Sequence, residues 1–133
     1  MIVNILFWVF MLVFILMIPL LMLGFGKSFM KNPPAEINPG WGYRTAMSSK
    51  NQETWDFAQR YMGRVWYQAG RVLLVPSAVP PLLVLGRDVG VVGVVGLAVC
   101  GVQLVVMLGS ILVTERALKK NFDKNGKRKI ETD

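Results

Sequence analysis

Met1-Ile-Val-Asn-Ile-Leu-Phe-Trp-Val-Phe10-Met-Leu-Val-Phe-Ile-Leu-Met-Ile-Pro-Leu20-Leu-Met-Leu-Gly-Phe-Gly26 carries no charged side chain, and Ile5 to Leu23 is apolar apart from Pro19. A helix rises about 1.5 Å per residue and needs roughly 20 residues to cross the hydrocarbon of a bilayer. This run is long enough, and we expect a transmembrane helix at about 2–25. A cleaved signal peptide carries its basic residues before the apolar run. Here the first positive charge, Lys27, comes after it, so the helix is expected to be retained.

Working outward, Val89 to Thr114 is a second uncharged run with Gln103 as its only strongly polar side chain, which predicts a crossing at about 89–114. Between them, Val72 to Gly86 is uncharged but spans only 15 residues, about 22 Å as helix. That helix must begin earlier, at about 65, with Arg71 inside it. Pro76, Pro80 and Pro81 remove backbone donors and should kink or end it near its far end. The expected fold is an all-α integral membrane protein with three transmembrane helices, the second (65–86) carrying an amphipathic cytoplasmic extension. Residues 26–64 form the loop and helix start, 115–133 a basic tail, and the whole a single domain.

Composition agrees. Of 133 residues 53% are apolar and 17% charged, where a soluble domain carries about a quarter charged residues. This argues against a cytosolic enzyme and against a disordered chain. The net charge of +7, from 15 Lys+Arg against 8 Asp+Glu, is read as orientation rather than nucleic-acid binding, because Lys and Arg collect on the cytoplasmic side. Six lie from Lys27 to Arg64, one at Arg87 and seven from Arg116 onward. The first loop and the tail are therefore expected in the cytoplasm and the amino terminus outside. With no His and the single Cys100 inside an apolar run, a His/Cys metal site, a disulfide framework and a Cys–His nucleophile pair are excluded. No cofactor is expected.

Rotation of about 100° per residue puts Gly86, Gly90, Gly93, Cys100 and Gly101 in one sector of roughly 100°. Such a face lets helix backbones approach in lipid, within the protomer, in a homodimer or against other membrane subunits. The tail begins as a helix extension and becomes Lys124-Asn-Gly-Lys-Arg-Lys129. It is expected to be solvated and to act as a topology signal; contact with anionic headgroups of the membrane lipids is the alternative.

The unusual segment is Asn38-Pro-Gly-Trp-Gly-Tyr-Arg-Thr45. Pro39, Gly40 and Gly42 mark turns, and Trp41 and Tyr43 suit a membrane interface. Ser49 with Gln52 fits a capping box, Ser48 being an alternative cap, so a helix should start near Lys50. Trp55, Ala58, Met62, Val65, Trp66, Ala69 and Leu73 share one face of it. Glu53, Asp56, Arg60, Arg64, Tyr67 and Arg71 share the other, with Asp56–Arg60 a favourable i,i+4 pair. That charged face reads as solvated, with Arg71 snorkelling to the headgroups. Arg44, beside glycine turns and two aromatics, has two readings. It can grip a phosphate or carboxylate bidentately, or bond carbonyls or Glu53 and lock the loop; locking is favoured.

The ordered set Asn38, Gly42, Tyr43, Arg44 and Thr45, followed by Ser48, Asn51, Glu53, Trp55, Gly63 and Gly70, resembles the SdpI family of small bacterial membrane proteins over about Asn38 to Leu73. The family pairs an Asn-x-x-x-Gly-Tyr-Arg-Thr loop with an Asn-x-Glu-x-Trp helix start. Its best-known member is a longer immunity protein that protects a bacterium from its own secreted killing peptide. The resemblance implies a bacterial plasma-membrane protein and, by analogy, toxin resistance through binding a hydrophobic peptide in the membrane. An accessory subunit of a larger membrane complex is the alternative. A proton-coupled carrier is disfavoured because the runs hold no Asp, Glu or His. Catalysis is not expected: Glu36, Glu53 and Asp56 have no His or nucleophile beside them.

Overall fold

The apolar runs form helices longer than their uncharged cores. In a computed structural model, which describes residues 1–129, α1 spans Ile2–Lys31, α2 Gln52–Leu83 and α3 Val89–Asn121. The described residues contain no strand beyond an isolated bridge between Phe122 and Arg128. The predicted tail's last four residues, 130–133, lie outside the described residues. Two of the helices, α1 and α3, are long and apolar enough to cross a membrane. At 30 and 33 residues they reach about 45–50 Å, so each runs past its apolar core into a charged end.

α2 starts two residues later than the capping prediction. Asn51, not Ser48 or Ser49, is the cap: its side chain accepts from the Thr54 N–H at 2.9 Å, and its own N–H donates to Thr54 Oγ1 at 3.1 Å. Ser48 is unavailable because it closes the preceding turn with Thr45. Pro76, Pro80 and Pro81 all lie inside α2, which continues to Leu83. Gly86, with φ +84°, then reverses the chain, and Asp88 caps α3 through the Val91 N–H at 2.9 Å.

The helices approach most closely where α1 crosses α2. A Cβ added at Gly26 would stand 2.7 Å from the Gly63 carbonyl oxygen, and one at Gly63 would stand 2.9 Å from the Gly26 oxygen. One at Gly70 would meet the Pro19 oxygen at 2.9 Å. Backbone contact of this kind replaces hydrophobic burial as the glue between helices in lipid.

The buried Gln103 has a specific task. Pro19 has no N–H, so the Ile15 carbonyl, its i−4 acceptor, is left open. Gln103 Nε2 donates to that carbonyl at 2.9 Å and to Ser77 Oγ at 2.9 Å, tying all three helices at one level. At the charged end, Tyr43, Ala58, Met62, Leu118 and Phe122 form an apolar core. It joins the loop to the first turns of α2 and the last turns of α3.

The tail folds back instead of standing free in solvent. Asp123 N–H donates to the Lys127 carbonyl and Lys129 N–H to that of Asn121, around Gly126 at φ +81°. Asn51 Nδ2 donates to the Gly126 carbonyl at 2.7 Å, and Arg128 pairs with Glu53 at 2.6 Å. The hairpin is thereby clasped to the start of α2.

Candidate ligand-binding cleft and the loop that walls it

The loop between α1 and α2 is built residue by residue. Asn38 Oδ1 accepts from the Gly40 and Trp41 N–H groups at 3.0 and 2.6 Å, which turns the chain. Gly42 follows at φ +103°, and a Cβ there would meet Gln59 Oε1 at 2.7 Å, so the position needs glycine for conformation and for space.

Tyr43 is the anchor. Gln59, fully buried on α2, accepts from its N–H and donates to its carbonyl, both at 2.7 Å. The phenol donates to Glu115 Oε1 of α3 at 2.8 Å. Burial, then the bond to Glu115 and that carboxylate's charge, push the phenol well above its usual pKa. Tyr43 is thus a core residue and not an interface ring; Trp41, half exposed, stands edge-on to Phe25 and Phe29 at the surface.

Beyond Tyr43, Thr45 N–H donates to Ser48 Oγ at 2.8 Å and Ser48 N–H to Thr45 Oγ1 at 3.1 Å. Trp55, fully buried, donates its indole N–H to the Pro34 carbonyl at 2.7 Å. Arg44 is exposed and bonds the Pro39 carbonyl, fastening the loop to itself. Asn38, Gly42, Tyr43, Arg44 and Thr45 are therefore brought into one strap, which Trp55 and Gln59 of α2 and Glu115 of α3 hold, while Asn51 caps α2 and bonds the tail. Glu53 is not part of the strap, since it faces the tail and pairs with Arg128.

The residues of the charged face do not converge on a site. The expected Asp56–Arg60 pair gives way to other partners: Asp56 accepts from Gln52 Nε2 at 2.8 Å, and Arg60 donates to the Met30 carbonyl at 2.9 Å. Met30 lies in the last turn of α1, where carbonyls lack helical partners, so Arg60 caps α1. Arg64 lies over the Tyr61 ring at 5.8 Å and Arg71 over that of Tyr67 at 5.7 Å. The glycine face of α3 makes no close contact within the chain. A Cβ at Gly101 would meet nothing within 4 Å, and one at Gly90 or Gly93 would first meet an atom at 3.8 or 3.9 Å; Gly86, expected on this face, lies instead in the turn that precedes α3.

The strap walls a cleft of about 540 Å³ between the charged ends of the three helices. Gly26 and Gly63 form part of its lining, where α1 and α2 touch, with Phe25, Phe29, Trp41 and Trp66 around them. α3 contributes Leu104, Met107, Leu108 and Ile111, and the loop contributes Tyr43, Arg44 and Thr45. Leu108 and Ile111 are themselves exposed, so the cleft opens sideways. Among the described residues Arg44 is the one formally charged side chain in this lining. Among the described residues no three metal-ligating side chains gather.

Sequence reasoning missed Gln59, Glu115 and the cleft. A signal for Gln59 existed: a lone amide four residues after Trp55 and three before Met62 interrupts an apolar stripe, and such a residue needs a buried partner. Its partner lies 16 residues back, which periodicity does not reveal.

Comparison with curated proteins and with solved structures finds no match. The family model described as the SdpI/YfhL protein family matches residues 35–114, from just before the strap to the last apolar turn of α3. With more than half of its length matched, including the strap and all of α2, the chain belongs to the SdpI/YfhL protein family.

Proposed function

We propose that this is a bacterial plasma-membrane protein that protects its host against a secreted, membrane-active peptide by binding that peptide within the bilayer. The observation that carries the reading is the cleft. It is apolar, open sideways at the ends of two membrane-compatible helices, and walled by the loop that bears the family motif. A binder needs such a preformed concave surface, and among the described residues no carboxylate or histidine base lines it. In this reading α2 is the third crossing, its polar first turns lie in the cytoplasm as the amphipathic extension, and the amino terminus is outside. The distribution of Lys and Arg supports that orientation. The bare glycine face of α3 favours a second reading, an accessory subunit whose partner helix packs on Gly90, Gly93 and Gly101.

Two experiments test the proposal. Single cysteines at Ile2, Lys50, Asp88 and Lys124, in a Cys100→Ala background, are labelled in intact cells with an impermeant maleimide. Labelling at Ile2 and Asp88 but not at Lys50 or Lys124 is expected, and the reverse pattern would invert the orientation. Sensitive bacteria expressing the chain are then challenged with a panel of secreted membrane-active peptides. Leu108→Trp, which fills the cleft, should abolish protection and Arg44→Ala should reduce it. Protection that survives both at normal membrane levels would refute the cleft's role.

A further inference from the structure

The cleft differs from an ordinary hollow between helices in the placement of its single charge. Its body is apolar, and Arg44 with Thr45 lies in the loop-side wall. Among the described residues no carboxylate lines the cleft to neutralise that arginine. A guanidinium has five N–H donors, and here one contact, from Nη1 to the Pro39 carbonyl, fastens it to the loop. The other donors are available, and Arg44 is exposed.

The level of the mouth is marked independently. Trp41 is 51% exposed beside it, and half-wet indoles lie at the headgroup level of membranes. Lys27 and Lys31, both exposed, end the apolar run of α1 at the same place. An arginine at headgroup level above a sideways-open apolar cleft matches, in charge and in order, a phosphate above an acyl chain.

We infer that the cleft holds an anionic phospholipid from the surrounding leaflet, with its phosphate on Arg44 and one acyl chain against Phe25, Trp66 and Leu108. At about 540 Å³ the space lies within the range of small-ligand sites. A guanidinium grips the phosphate of an anionic or a choline lipid; the selectivity comes from net charge, since the positive charge of Arg44 favours a headgroup that brings no choline cation of its own. The inference depends on the helices crossing a membrane but not on any peptide. It gives the resting state of the cleft, which a peptide ligand would have to displace.

The test contains no toxin. The full chain is reconstituted into vesicles of phosphatidylglycerol and phosphatidylcholine in equal parts, extracted in mild detergent, and its retained lipids are counted by native mass spectrometry. One phosphatidylglycerol per chain, kept in preference to phosphatidylcholine, is expected. Arg44→Gln should lower that retention about tenfold, the scale of losing one charge-assisted contact. Leu108→Trp should lower it with Arg44 intact, and circular dichroism of both variants should match the parent. Lys124→Gln with Lys127→Gln and Lys129→Gln should leave retention unchanged. Equal retention of the two lipids, retention indifferent to Arg44→Gln and Leu108→Trp, or retention lost only with the tail lysines would overturn the assignment. A dimer that Leu108→Trp abolishes would give the cleft to a second copy and overturn it as well.

Discussion

Replacing Gln59 by Leu removes the two bonds that hold Tyr43 to α2 while keeping a similar side-chain volume. The Tyr43 N–H, donated to Gln59 Oε1 at 2.7 Å, then faces a buried environment with no partner. Leaving such a group unsatisfied costs about 1–3 kcal/mol. The Tyr43 carbonyl loses Gln59 Nε2 but keeps Ser48 Oγ at 3.2 Å, so its share is smaller. A total of about 2–3 kcal/mol corresponds to roughly 30- to 150-fold more frequent opening of the strap. Hydrogen exchange of the Tyr43, Thr45 and Ser48 amides reads this directly. Those amides should lose protection by that factor, while the amides of α1 and the middle of α3 stay slow. Gln68→Leu, at an exposed position on the same helix, is the control and should change nothing. Unchanged exchange in Gln59→Leu would refute the claim that Gln59 holds the strap to α2.

Four further predictions follow from the packing. Gln103→Leu should destabilise the parent in a denaturant titration but cost less in a Pro19→Ala background, because alanine returns an N–H to the Ile15 carbonyl; a coupling of about 1 kcal/mol is expected, and equal costs in both backgrounds would contradict the assignment. Gly26→Ala forces backbones apart and should cost about 1–3 kcal/mol in detergent stability, whereas Gly101→Ala meets open space and should be neutral or stabilising by about 0.5–1 kcal/mol. Tyr43, with its folded pKa raised above the unfolded value near 10, contributes stability that is fully present below about pH 10 and lost as pH rises toward the folded value; an absorbance titration should show one late-titrating tyrosine, absent in Tyr43→Phe. Asn51→Ala loses the helix cap and the bond to Gly126, about 1–2 kcal/mol, and should expose the tail hairpin to trypsin; Glu53→Ala breaks a pair whose partners are each 53% exposed, costs about 0–1 kcal/mol, and should barely change cleavage.

The helices were legible because their signals are local. Uncharged runs of helical length mark α1 and α3, and the 3.6-residue stripe through Trp55, Met62 and Trp66 marks α2. The cap of α2 was misplaced because two overlapping patterns competed, Ser49 with Gln52 and Asn51 with Thr54. The first failed because the Gln52 side chain turns to the Ala35 carbonyl and Asp56 instead of back to Ser49. Tyr43 was misassigned to the interface because nothing local reveals that Gln59 and Glu115, 16 and 72 residues away, meet it. The tail carries its own turn signal, Asn125-Gly126, masked by the basic residues around it; its docking on Asn51 is tertiary. The glycines expected to form a packing face on α3 meet no close neighbour among the described residues, and the tightest glycine crossing lies between Gly26 and Gly63, in runs whose spacing gave no such stripe. Arg44 bonds the Pro39 carbonyl of its own loop and also lines the cleft.

The central claim is that the chain acts as a free-standing binder in the membrane. Gentle purification from native membrane, without overexpression, followed by mass spectrometry of everything that travels with it, tests that most directly. The account predicts recovery alone, as a dimer, or with a small hydrophobic peptide. A fixed set of stoichiometric protein partners would contradict it and make the chain a subunit of a larger complex.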